Sequence, residues 1–493
     1  MKLIFLITSL FASTAVFADI KVKLHFTPTA NLVYQLDCIS NVLPHCSRET
    51  YKDLWKTNFF KTDEDQDLVK SWSDLMTRYR PELEFERPKD KPYNGRFQGV
   101  KLATKARIAS FQSTSMEDYF NRLDLIVIPK DKEKFEKVIR NFYPRFEKWW
   151  TTVALPKGKK FAKQTDALLK TPNISKIIKQ YAGFYEASLP DDYTVHFNLF
   201  YRPDSKESTS GQQIENYSVA EFLPFEKPAD RIDVIIHELC HFFYESATDE
   251  KFASLLKAFD ATGKIEARAA YNLLNESLAT AFGNGLVNKL TMDSKRWEKY
   301  YAKPLSFYNN YHIDKASRTV MPWLQDWLKE NKTLYDAQFV EKYMALLERE
   351  FGVELTAPKL LLNELVLVVD GKFGGKFRDS VRKALRASSM YTYEGDLADA
   401  NVLKSYNDQV SLSALFIVHS DNLSKLRELK VLSADDFDGL KKYLRGKKDG
   451  VYSFKRGVNV PGFVIVADGY DAALGLVDRL AGLKDGFFGG LGE

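Results

Sequence analysis

The stretch Ile236-His237-Glu238-Leu239-Cys240-His241 constrains this chain more than any other. On an α-helix, residues four apart lie one turn above each other on the same face, so His237 and His241 aim their ring nitrogens at one point, where a cation would sit. Glu238 lies about 100° round from His237, on the flank, where a carboxylate reaches a metal-held water without displacing it. Ile232, Val234, Ile235 and Ile236 precede the motif, and Leu239, Phe242 and Phe243 continue its apolar character, so the helix belongs inside a core. Pro228 and Asp230 are helix-start signals, and Asp233 falls in the first turn, where an acid favours the helix dipole. The chain holds only seven histidines, so the pairing does not come from a histidine-rich composition. For the pair alone, the alternative is two buried histidines satisfied by backbone or carboxylate groups.

A zinc site open for catalysis takes three protein ligands and keeps a further position for water. Asn275-Glu276-Ser277-Leu278-Ala279 offers the third, in a segment, residues 264–288, that reads as one long helix. Ala279, Ala281, Gly283 and Gly285 cluster beside Glu276, and such small side chains let a second helix approach closely. HELCH followed by NESLA resembles the gluzincin metallopeptidases over roughly residues 190–290, in which a glutamate on a later helix completes the zinc site. The resemblance implies His237, His241 and Glu276 as zinc ligands and Glu238 as general base. It also has departures. Thirty-four residues lie between His241 and Glu276, and the excess, KFASLLKAFDATG, looks like an inserted helix. Ala279 and Thr280 stand where thermolysin-like members carry an aspartate that orients a ligand histidine. The glycine-methionine-glutamate-asparagine signature of the aminopeptidases is absent, with only a faint echo in Ser218-Val219-Ala220-Glu221, so aminopeptidase specificity is not implied.

The first residues, MKLIFLITSLFASTAVFA, read as a secretory signal peptide cleaved after Ala18. Removing residues 1–18 takes away one lysine and no acid, so the formal charge goes from +5 to +4. The charges are interspersed apart from a short cluster at Lys157–Lys163, which excludes an extended nucleic-acid-binding surface. No later apolar run reaches the length of a membrane span. The expected protein is exported, periplasmic or secreted, with no membrane span after signal removal and with a peptide or protein substrate as partner; oligomeric state is left open. Cys38 and Cys46 suit a small disulfide loop in an oxidising compartment, and Cys240 reads as a small core residue.

The expected fold is α+β: a mainly helical, zincin-like chain with a small sheet upstream of the motif and a C-terminal α/β domain. Its predicted parts are the signal peptide at 1–18, a mostly helical N-terminal lobe at 19–190, a catalytic domain at 191–355, and the α/β domain at 356–493, where strands and helices alternate. KVKLHFTPTANLVYQLDCI alternates like a strand or pair of strands, and TVHFNLFYRP and IENYSVAEFLPF read as two more. By analogy with zinc peptidases, Tyr217–Glu221 would line the cleft as an edge strand. Tyr308, Tyr311, His312 and Arg318 follow the second zinc helix, and Tyr311 or His312 is the favoured stabiliser of the oxyanion in the transition state. The function these features imply is a zinc-dependent metallopeptidase. Two alternatives are a non-catalytic binding or scaffold protein on a zincin fold, and a zinc amide hydrolase acting on an envelope polymer.

Overall fold

A computed structural model describes residues 20–43, 46–80, 82–83, 100–190, 192–207, 211–215, 217–399, 402, 406–407, 412–456 and 460–491. The expected signal peptide lies outside the described residues. The fold is α+β and rich in helix, with two mixed sheets.

The first sheet has four strands in the order Lys21–His25, Thr194–Tyr201, Tyr217–Phe222, Gly211–Ile214. The first three run parallel, and the last folds back antiparallel on its neighbour, with Gly211 opposite Ala220 and Ile214 opposite Tyr217. Glu215 turns this hairpin in the left-handed region, at φ 53°. Tyr217–Phe222 is therefore an inner strand, buried at every position. The edge on this side is Gly211–Ile214, with Lys21–His25 at the opposite edge, which corrects the expectation for Tyr217–Glu221. Glu221 is likewise structural: its carboxylate is fully buried and accepts from Tyr34 and from the backbone and hydroxyl of Ser47.

A second correction concerns the N-terminal strand, which stops at His25; Pro28–Ile39 is a helix. Pro28 sets the first helical φ, and every residue from Thr29 to Ile39 is buried. A helix enclosed on all sides has no polar face and so no amphipathic period to read. At its end Cys38 and Cys46 form a disulfide, with Cα atoms 6.0 Å apart.

The motif helix spans Ile232–Glu245. Ile232, Ile235, Leu239 and Phe243 are fully buried, and each contributes about 1.5–3 kcal/mol of burial, which anchors the helix through the core. A separate helix, Asp249–Ala261, fills the long spacing before the Glu276 helix, Glu266–Thr280. The latter does not continue regularly to 288. It passes into a π-helical segment, Ala281–Val287, and then a last α turn, Asn288–Thr291.

The second sheet has the order Gly489–Gly490, Gly450–Lys455, Pro461–Ala467, Ser413–His419, Glu364–Asp370, Ser389–Gly395. Its last four strands are parallel. Alternation along Glu364–Asp370 sends Leu365, Leu367 and Val369 to one face, with Val381 and Leu385 of helix Arg378–Leu385, and Val366 and Val368 to the other, with Phe437 and Leu440. A sheet covered on both faces reads as continuous apolar runs, as these strands do. The first face is continuous with the core that holds the motif helix, so the end of helix Arg378–Leu385 is fixed beside the motif's cleft.

Candidate metal centre

The motif helix and the Glu276 helix cross where the small residues lie. A Cβ on Gly283 would stand 2.6 Å from the Asp233 carbonyl and 2.8 Å from the His237 backbone nitrogen, so only glycine permits this approach. The crossing brings His237, His241 and Glu276 into one group whose ligand atoms lie within 4.8 Å of one another, a set able to hold a metal ion. The two Nε2 atoms are 3.0 Å apart, and the Glu276 oxygens stand 3.6 Å from each.

Hydrogen bonding decides which ring nitrogens are free. Asn284 gives its amide hydrogens to Asp233 Oδ2 at 3.2 Å, so its Oδ1 faces His237 Nδ1, 3.1 Å away. Nδ1 must then carry the proton, leaving a lone pair on Nε2. Asn275 Oδ1 holds His241 Nδ1 in the same way at 2.9 Å. Two lone pairs thus confront each other beside a carboxylate, and Glu276 Oε2 is buried without a hydrogen-bond partner. A cation satisfies all three donors: tetrahedral zinc with Zn–N bonds of about 2.0–2.1 Å spaces two nitrogens by about 3.3 Å. Burial, then His241, lowers the His237 pKa, whereas at His241 burial is outweighed by Glu276, Glu238 and Asn275 and the pKa rises.

Asp233 is the anchor of this arrangement. It accepts from Asn284, from Asn288 at 3.0 Å and from the Val234 backbone at 2.8 Å. Through the Asn284 amide it fixes the orientation of the His237 ring. The π-helix makes this possible. Eight residues of regular α-helix would leave Asn284 about 80° off the Glu276 direction, but each residue of a π turn advances less than an α residue and brings Asn284 back into line. Neither asparagine was singled out in the sequence. The readable signals were Asp233, one turn before His237 on the same face, and a lone polar residue in the small apolar run AFGNGLV.

Glu238 is buried and faces the cleft, with no hydrogen bond to its carboxylate among the described residues. Burial pushes its carboxyl up to about 8, with His241 opposing and Glu276 adding. Gly211, the first residue of the edge strand, crosses directly over it: a Cβ there would lie 2.6 Å from Glu238 Oε1. The cleft has a volume of about 920 Å³ and is lined by the triad, Glu238, Gly211–Gln213 and the loop around Tyr308. Tyr308 stacks on His237 with ring centroids 6.0 Å apart, and Glu276, then burial, hold its phenol above the usual range.

Tyr311 and His312 also line the cleft. Tyr311 is half exposed, and His312 Nε2 is engaged by Glu354 at 3.1 Å. Arg318 is committed elsewhere, to Asp314 and the carbonyl of Lys303. Cys240 is fully buried against Tyr185, outside the ligand group. Cys46, through its disulfide, forms part of the cleft wall.

No family model matches this chain, and the searches of curated proteins and of solved structures found nothing similar either.

Proposed function

We propose that the chain is an exported zinc-dependent metallopeptidase of gluzincin type, with His237, His241 and Glu276 as zinc ligands and Glu238 as general base. The observation that carries the reading is the pair of free imidazole lone pairs, 3.0 Å apart, beside the orphaned Glu276 oxygen and open to a cleft on the Glu238 side. Zinc bound there supplies a Lewis acid and lowers the pKa of coordinated water toward about 7. Glu238 takes the proton of the attacking water and delivers it to the leaving amine. The edge strand Gly211–Ile214 pairs with an extended peptide and lays its scissile bond over Glu238. Tyr308, the tyrosine in contact with the triad, donates to the developing oxyanion, and Tyr311 and His312 contact substrate further along the cleft. On this reading residues 1–18 are the export signal, 19–190 a helical lobe, 191–355 the catalytic unit and 356–493 an α/β unit that walls the cleft. The Cys38–Cys46 disulfide supports an oxidising destination.

The test measures zinc content and peptide hydrolysis together. Wild type should bind one zinc and cleave peptides. Glu238→Gln should keep the zinc and lose turnover by at least about 10²-fold, and Glu276→Ala should lose the zinc. A wild type that fails to retain stoichiometric zinc after reconstitution would sink the proposal.

A further inference from the structure

The cleft that holds the triad continues to a wall built far downstream in the chain. Lys359, Asn363, Arg382, Arg386 and Ser388 line the same continuous cavity as His237, His241 and Glu276. Val381 and Leu385 pin helix Arg378–Leu385 to the sheet face that belongs to the main core, so the backbone that carries Arg382 and Arg386 is fixed at the rim. Arg386 caps the helix in the left-handed region, at φ 54°, and its carbonyl accepts from Asn363. Arg382 makes one long contact, 3.4 Å, to the Ser388 carbonyl.

Among the described residues, Lys359, Arg382 and Arg386 have no carboxylate partner. The contrast with nearby groups is sharp: Lys315 and His312 both pair with Glu354, and Glu207, the remaining cleft acid, accepts from the Thr50 backbone. Behind the wall, burial and then Arg378 and Arg382 hold the Arg80 guanidinium below its usual range, with Asp379 opposing. Cations in the last turn of a helix complement its dipole, which accounts for Arg382. The same role extends to Arg386 at the cap of that helix and to Lys359 in the short helix Pro358–Leu361, but it does not by itself gather all three on the wall of one cavity. Like charges gathered on one wall repel unless an anion joins them, and they attract one that approaches.

We propose that Lys359, Arg382 and Arg386 form a subsite that takes a carboxylate of a peptide substrate, so that the protein prefers peptides that carry one there. What is cleaved rests on the metallopeptidase reading; what is bound does not. The carboxylate belongs either to an Asp or Glu side chain or to the peptide C-terminus.

Calorimetric titration of zinc-loaded Glu238→Gln protein separates these. Three peptides of equal length serve as probes: one with internal acids and an amidated end, one with neutral side chains and a free C-terminus, and one neutral and amidated. At least one of the two carboxylate peptides should bind about tenfold tighter than the neutral amide, a margin that shrinks with added salt. Which one does so tells side-chain from C-terminal recognition. Lys359→Gln/Arg382→Gln/Arg386→Asn should bind all three alike while zinc content and melting temperature hold; asparagine is chosen because it tolerates φ > 0. Should that variant misfold, Arg382→Glu/Arg386→Glu and the salt dependence decide, the former turning the preference toward basic peptides.

Equal binding of all three peptides, or no binding of any, overturns the subsite. Carboxylate-selective binding of peptides that the wild type leaves intact keeps the subsite and sinks the peptidase. Hydrolysis of both carboxylate peptides and the neutral amide with equal kcat/KM does the reverse.

Discussion

On the proposed function, Asn284 and Tyr308 are two residues outside the motif on which the chemistry of the centre depends. Asn284 passes the orientation set by Asp233 to the His237 ring. Asn284→Ala should therefore weaken zinc binding by about 10- to 100-fold, measured by competition with a chelator, while leaving the fold intact. On the proposed mechanism, Tyr308→Phe removes a donor needed only as charge develops on the substrate oxygen. It should lower kcat by about 10²-fold with little change in KM. The same measurement on Tyr311→Phe and His312→Gln shows which of the three residues serves the oxyanion.

Two glycines set the spacing of the elements. Gly283 lets the π-helical segment touch the motif helix backbone, with a Cβ clearance of only 2.6 Å to the Asp233 carbonyl. Backbone cannot move aside as a side-chain tip can, so Gly283→Ala should separate the helices, lower the melting temperature and abolish stoichiometric zinc binding. Gly211 meets the movable end of Glu238 instead, at 2.6 Å. Gly211→Ala crowds that carboxylate and Val234 Cγ1, 2.8 Å away; it should leave zinc bound while displacing Glu238, so that on the proposed mechanism hydrolysis falls without loss of the metal. Comparing zinc content with turnover in the two variants separates the spacing of the ligands from the placing of the carboxylate.

Over the whole molecule, the first strand of the second sheet couples stability to pH. Glu364 opens that strand beside the main core, and burial pushes its carboxyl up to about 7, with Arg268 opposing and Glu245 adding. The folded chain thus holds a proton that the unfolded chain releases near pH 4.5, the ordinary value. The group's contribution is fully present below that pH and is lost as pH rises through about 7. Glu364→Gln cannot ionise, so its apparent urea midpoint should fall less than that of wild type across this window. Equal slopes in the two proteins would assign the dependence to another group.

The residues themselves determined what local periodicity encodes. An (i, i+4) histidine pair needs only a helix to share a face, apolar runs announced the strands Glu364–Asp370, Ser413–His419 and Pro461–Ala467 of the second sheet, and two cysteines near in sequence were positioned to pair. Tertiary structure alone decided what depends on elements crossing. The contact between His241 and Asn275 spans 34 positions and that between His237 and Asn284 spans 47, and both exist because Gly283 permits the crossing and a π turn resets the helical register. The fully buried helix Pro28–Ile39 lacked a polar face by which to be recognised, and the edge of the first sheet fell to Gly211–Ile214 because the hairpin folds that strand outward. The basic wall of the cleft lies furthest beyond sequence reading. Period-two alternation predicts that one face of a strand will be buried, but not that the helix packed on it will bring Arg382 and Arg386 into the cavity of a distant histidine pair.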